Sequence, residues 1–154
     1  LRSALKSYKG VERRFSYRIK SESFVFIDDY AHHPKEIDAV WEALSEMYPQ
    51  KKVTAVFQPH LYSRTLDFAE DFAVSLSKFD AVLLLDIYPA REAPIAGVTS
   101  DLLLQKITTE TKQLVQKSAL VTAITSIGNP VLVTMGAGDI GQEVEPLTKN
   151  LMYA

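Results

Sequence analysis

Short β-prone runs alternate with amphipathic helical stretches along the chain, which predicts an α/β domain: a Rossmann-like, mostly parallel sheet of about six strands with helices on both faces. Three observations carry that prediction. Residues 24–27, 53–57 and 131–135 are apolar and rich in Val, Phe and Leu, as strands buried on both faces are. The stretches between them repeat apolar residues three and four apart. No internal repeat, low-complexity segment or interior linker divides the 154 residues, the length of one ordinary domain.

In chain order, Leu1, Ala4, Leu5 and Tyr8 fall at helical spacing before Gly10, so a short helix is expected there, the end of something longer. Phe15, Tyr17 and Ile19 alternate with polar partners and predict an exposed edge strand. The run 24–27 then ends in Asp28-Asp29. Pro34 suits a first helical turn, and Ile37, Val40, Trp41, Leu44 and Met47 give the next helix an apolar stripe that closes near Pro49. Strand 53–57 leads through loop 58–64 to a helix over 65–79, with Leu66, Ala69, Phe72, Ala73 and Leu76 turned inward and Thr65 as its N-cap. Strand 81–86 and a long loop 87–98 follow. Thr99-Ser100-Asp101 caps a short helix, a weak strand lies near 113–116, a helix spans 118–127, and strand 131–135 precedes a last helix from about Asp139, which caps it.

Composition narrows the function. Lys and Arg number 17 against 19 Asp and Glu, a net charge of −2, and the basic runs Arg13-Arg14 and Lys51-Lys52 are short, so a nucleic-acid partner is not expected. The longest apolar run, residues 81–85, is far below the ~20 residues of a membrane-spanning helix, and no membrane role is expected. With no cysteine there is no disulfide, thiolate nucleophile or Cys-based zinc site.

Ligands of such sheets bind beyond the carboxyl ends of the strands. Those loops hold all three histidines, in Asp28-Asp29-Tyr30-Ala31-His32-His33-Pro34 and Gln58-Pro59-His60-Leu61-Tyr62-Ser63-Arg64-Thr65. A metal-dependent hydrolase using these Asp and His residues is one reading. Against it, Asp28 and Asp29 point to opposite faces of a strand, and Pro34 holds His33 extended. The plainer split has Asp28 binding loop amides and His33 packing, with Asp29, Tyr30 and His32 facing the cleft. Arg64 reads either as an anion-binding group at a helix start or as a surface partner of Asp67. Gly136-Ala137-Gly138-Asp139-Ile140-Gly141 matches G-x-G-x-x-G literally, yet the second strand and the acid of a dinucleotide site do not follow it, so the glycines are expected to make a tight turn. Neither G-x-x-x-x-G-K-[ST] nor G-x-S-x-G occurs.

Taken with Asp86-Ile87-Tyr88-Pro89-Ala90-Arg91-Glu92-Ala93-Pro94-Ile95, these loops, in this order and spacing, resemble the C-terminal domain of the Mur ligase family, in the branch that adds L-alanine to UDP-N-acetylmuramate. The resemblance covers nearly the whole chain. It implies a bacterial, cytoplasmic, ATP- and Mg²⁺-dependent ligase of peptidoglycan synthesis working through an acyl phosphate, with metal ligands and P-loop mostly in a central domain absent here. It divides the chain into the end of a connecting helix (1–12) and the C-terminal domain (13–154), inactive alone, with UDP-N-acetylmuramate and L-alanine as partners of the whole enzyme. It assigns Asp29 to the ribose hydroxyls, Tyr30 and His32 to the nucleotide and the incoming alanine, and His60 and Arg64 to a carboxylate, His32 and Arg64 being the candidate catalytic pair. Leu61 departs from the pattern, since relatives often carry Arg there. A non-catalytic nucleotide-binding module is the other alternative.

Overall fold

The apolar runs take the middle of the sheet. The computed structural model describes residues 13–152, so the helix expected before Gly10 and the boundary at residue 12 lie outside the described residues. Six strands form one sheet: β1 (Ser16–Lys20), β2 (Val25–Asp29), β3 (Val53–Phe57), β4 (Ala81–Leu84), β5 (Thr111–Leu114) and β6 (Val131–Met135). Their order is β1-β2-β6-β3-β4-β5, with β1 antiparallel to β2 and every other pairing parallel. The central strands β3 and β6 are buried throughout.

Among the described residues six α-helices cover the two faces: α1 (Pro34–Met47), α2 (Tyr62–Asp67), α3 (Ala69–Leu76), α4 (Ser100–Lys106), α5 (Leu120–Ile127) and α6 (Ile140–Leu151). Strand side chains alternate between two cores, as the pleat requires. Val25, Ile27, Ala55, Phe57, Val131 and Val133 pack with Ile37, Leu44, Phe72, Leu76 and Leu103 from α1, α3 and α4. Phe26, Val56, Leu83 and Leu132 meet Leu120, Ile124, Ile140, Val144 and Leu147 from α5 and α6. Apolar burial on this scale, at roughly 25 cal/mol per Å², is the main stabilising contribution.

The structure corrects the sequence reading at three elements. The helix expected over 65–79 is two, because Phe68 leaves helical geometry at φ −115° and closes α2 while opening α3. Its ring packs against His33, centroids 4.8 Å apart, and Leu66, expected inward, is exposed. Thr65 caps nothing; α2 begins at Tyr62, and the buried Thr65 hydroxyl donates to the Leu61 carbonyl at 2.8 Å. The weak edge strand lies at Thr111–Leu114, nearer the amino end than expected, where its ladder to β4 runs from Thr111 opposite Ala81 to Leu114 opposite Leu84. Elsewhere the expected elements form, including the Thr99 cap, whose hydroxyl accepts from Leu102 N–H at 3.2 Å. The loops after β2, β3, β4 and β6 gather at one edge of the sheet.

Candidate ligand cleft at the carboxyl edge of the sheet

At the end of β2 the two aspartates diverge. Asp28 is buried and accepts from the Thr134 hydroxyl on β6 at 2.8 Å and from Arg13 Nε at 3.0 Å. Arg13 Nη2 continues to the Gly136 carbonyl at 2.8 Å, tying the start of the domain to both strands. Asp29 points the other way and takes the loop amides, Phe15 N–H on Oδ2 and Ala31 N–H on Oδ1, each at 2.7 Å. The sequence reading gave that job to Asp28. The roles exchange because Asp28 faces the side where Arg13 and Thr134 approach.

Asp29, Tyr30 and His32 share a cleft of about 510 Å³ with Arg14, Phe15 and Glu36. Tyr30 is 46% exposed, with the Arg13 guanidinium 5.2 Å from its ring centre. His32 stands edge-on to Tyr30 at 5.4 Å, its Nδ1 lying 3.0 Å from the Tyr30 carbonyl and 3.3 Å from the Glu36 carboxylate. His33 instead caps α1: Glu36 accepts from its N–H at 3.1 Å while its own ring nitrogen faces Lys35 N–H. Among the described residues no three His, Asp or Glu side chains converge as metal ligands would. The hydrolase reading therefore loses its donor set: Asp28 is committed to Arg13, and His33 to a helix cap.

At the end of β3, buried Gln58 reaches across to β6. Its Oε1 accepts from Ile140 N–H at 2.8 Å and its Nε2 donates to Asp139 at 2.7 Å. Gln58, not Asp139, thus caps α6, whose Asp139 makes no side-chain cap bond. Burial raises the Asp139 pKa, but hydrogen bonds from Lys117 and Gln58 outweigh it and hold the carboxyl below its usual range. The expected tight glycine turn is present. A Cβ on Gly138 would sit 2.5 Å from Gln58 Oε1 and 2.7 Å from Tyr88 Cβ, so only glycine fits.

His60 lies on this layer. Its ring stacks on Tyr88, centroids 5.7 Å apart, and faces His32 at 6.2 Å, joining the two loops into one cleft. Burial lowers its pKa below the ordinary 6.5, Arg64 and His32 lower it further, and Glu92 opposes them. Arg64 sits in α2 and makes no ion pair with Asp67. Two buried nitrogens, His60 Nδ1 and Arg64 Nη1, have no hydrogen-bond partner among the described residues. Buried polar atoms are paired in all but a few places per domain, so two unpaired nitrogens four residues apart mark a place where a partner is missing. Sequence reasoning missed Arg13, Gln58, Tyr88 and Glu92 as organisers of this cleft. Only the polar residue directly after a buried strand, Gln58, carried a signal.

A mostly parallel sheet with helices on both faces and polar loops gathered at its carboxyl edge defines an α/β domain of the class in which ligands bind at that edge. Residues 13–138 match the family model described as Mur ligase, glutamate ligase domain, and the chain belongs to that family. It is 62% identical over 153 residues to the UDP-N-acetylmuramate–L-alanine ligase of Christiangramia forsetii, covering 99% of this chain and 34% of that protein. The ligase of the same name from Flavobacterium psychrophilum is 58% identical over 96% of the chain and 33% of its own length. The crystal structure of a UDP-N-acetylmuramate-alanine ligase from Thermotoga maritima superposes with a TM-score of 0.76 at 25% identity, over 98% of this chain and 32% of that one. The chain spans about a third of the length of the curated relatives it matches.

Proposed function

We propose that this chain is the ATP- and amino-acid-facing domain of a bacterial, cytoplasmic, ATP-dependent ligase that joins L-alanine to UDP-N-acetylmuramate in peptidoglycan synthesis. The observation that carries the reading is the 62% identity, sustained across 99% of the chain, to a ligase of that name. The orphaned nitrogens of His60 and Arg64 support it from the chemistry, because an amino-acid carboxylate is the acceptor both lack.

ATP supplies the phosphoryl group that activates the muramic acid carboxylate for attack by the alanine amine. The residues of this chain bind and orient. Each Asp29 oxygen gives one lone pair to a backbone amide and keeps another for a ribose hydroxyl. Tyr30, exposed over the cleft, and His32 flank the nucleotide. His60 and Arg64 fix the alanine carboxylate, while Arg64 and His32 place positive charge and a polar ring near the reacting groups, so catalysis here is positioning and charge stabilisation. On this reading the Mg²⁺ ligands come mostly, and the UDP-sugar site wholly, from the other parts of such a ligase, of whose length this chain spans about a third.

The test is ADP release by the complete protein with Mg-ATP, UDP-N-acetylmuramate and L-alanine. The expected result is release that requires all three, and none from the isolated domain. Release that is indifferent to L-alanine would overturn the proposal.

A further inference from the structure

We propose that Glu92 is a positioning residue: its carboxylate, brought from the loop after β4, caps helix α2 and holds Arg64, whose buried Nη1 has no partner among the described residues. The need for such a cap follows from helix geometry. The first N–H groups of any helix have no intrahelical acceptor, and a side chain at the N-cap usually provides one. The N-cap of α2 is Leu61, which has no acceptor and sits at φ +71°, a backbone conformation L-residues rarely adopt.

Glu92 fills that gap from 29 residues away. Its Oε2 accepts from Ser63 N–H at 3.0 Å and its Oε1 from the Ser63 hydroxyl at 2.5 Å. The Ser63 hydroxyl, the Ser63 amide and a lesser contribution from the Tyr62 amide hold this carboxyl below its usual range, so it stays ionised as the clamp needs. A second set of contacts zips the same two loops. His60 and Tyr88 form a parallel bridge, Leu61 N–H donates to the Tyr88 carbonyl at 2.9 Å, and Tyr88 N–H donates to the Pro59 carbonyl at 2.8 Å. Strained Leu61 lies between the two fastenings, and Arg64 follows the clamped Ser63 directly. Glu92 therefore sets where the guanidinium points without itself meeting the ligand.

The choice of substrate in the test rests on the ligase reading; the clamp does not. In the complete ligase, Glu92→Gln keeps the side-chain shape and removes the bidentate anion. The expected result is a KM for L-alanine raised roughly tenfold, the loss of one charged hydrogen bond, with the KM for ATP moved less than about twofold. Ser63→Ala should add little in the Glu92→Gln background, because the two changes break one contact. Glu92→Asp, which keeps the charge on a shorter arm, should recover part of the KM. Two readouts need no substrate: the Ser63 amide resonance should shift, and the His60 ring, faced by Arg64, His32 and Glu92, should titrate lower still once Glu92 is neutral. Unchanged KM values with both resonances unmoved would overturn the proposal, as would a fall in kcat with the KM for alanine unaltered. If the complete protein shows no L-alanine-dependent ADP release, the ligase reading fails, and the Ser63 and His60 resonances still decide the clamp.

Discussion

The carboxyl ends of β2 and β3, separated in the sheet by β6, open on the same edge, yet they handle their polar groups in opposite ways. At β2, Asp28 is held by Arg13 and Thr134, and each Asp29 oxygen accepts from one backbone amide. At β3, the backbone is pinned just as firmly, by the Tyr88 bridge and the Glu92 clamp, but His60 Nδ1 and Arg64 Nη1 have no partners among the described residues. The first end is built like a structural joint whose spare lone pairs face outward. The second is built like a socket, rigid in its backbone and incomplete in its hydrogen bonds. Removing a side chain should therefore act on stability at one end and on ligand binding at the other.

The largest expected effect is at the joint. Asp28→Ala removes the acceptor that the described residues offer Arg13 Nε and the acceptor of the buried Thr134 hydroxyl, taking the carboxylate from a largely buried cation. Breaking such a pair from one side should lower stability by about 3 kcal/mol, read as a shift in urea midpoint at constant slope. A loss under about 1 kcal/mol would mean that this end is no more structural than its neighbour. The socket should respond the other way. If the complete protein is the proposed ligase, Arg64→Ala should reduce its kcat/KM for L-alanine by about 1.5–3 kcal/mol, the worth of a charged hydrogen bond, while stability moves within about 0.5 kcal/mol. An unchanged kcat/KM would take Arg64 out of the site.

The contrast also marks how far the sequence could be read. Residues 53–57 and 131–135 were legible to the residue, because strands buried on both faces leave unbroken apolar runs. The edge strand β5 was displaced in the reading, because Thr111–Leu114 is mostly exposed and only its backbone ladder defines it. Apolar spacing runs on through Leu66, Ala69, Phe72 and Leu76, so nothing in it announced that Phe68 would break the helix to meet His33. Asp29, Tyr30, His32, His60 and Arg64 were singled out as polar residues concentrated after strands, and the structure sets the first three on one cleft with the His60 ring facing His32. Arg13 and Glu92 were not, since their importance lies in contacts 15 and 29 residues away that no local pattern encodes.

The smallest effect distinguishes the two ends by pH. His60 is the imidazole at the socket whose pKa is displaced downward, first by burial and then by Arg64 and His32 beside it. A base with a depressed folded pKa gives stability that is fully present above its unfolded value of 6.5 and is lost as pH falls through the folded value. The unfolded chain gains a proton there that the folded socket refuses. His60→Phe keeps a flat ring for Tyr88 and cannot titrate, so its stability should fall less steeply than that of the native protein just below pH 6.5. A His60 ring titration by NMR checks the sign directly: the midpoint should lie below 6.5. Bound carboxylate would raise that midpoint, because the anion offsets Arg64 and accepts from the protonated ring. A midpoint at or above 6.5 in the ligand-free protein would mean that the socket is already satisfied, and the difference between the two strand ends would disappear.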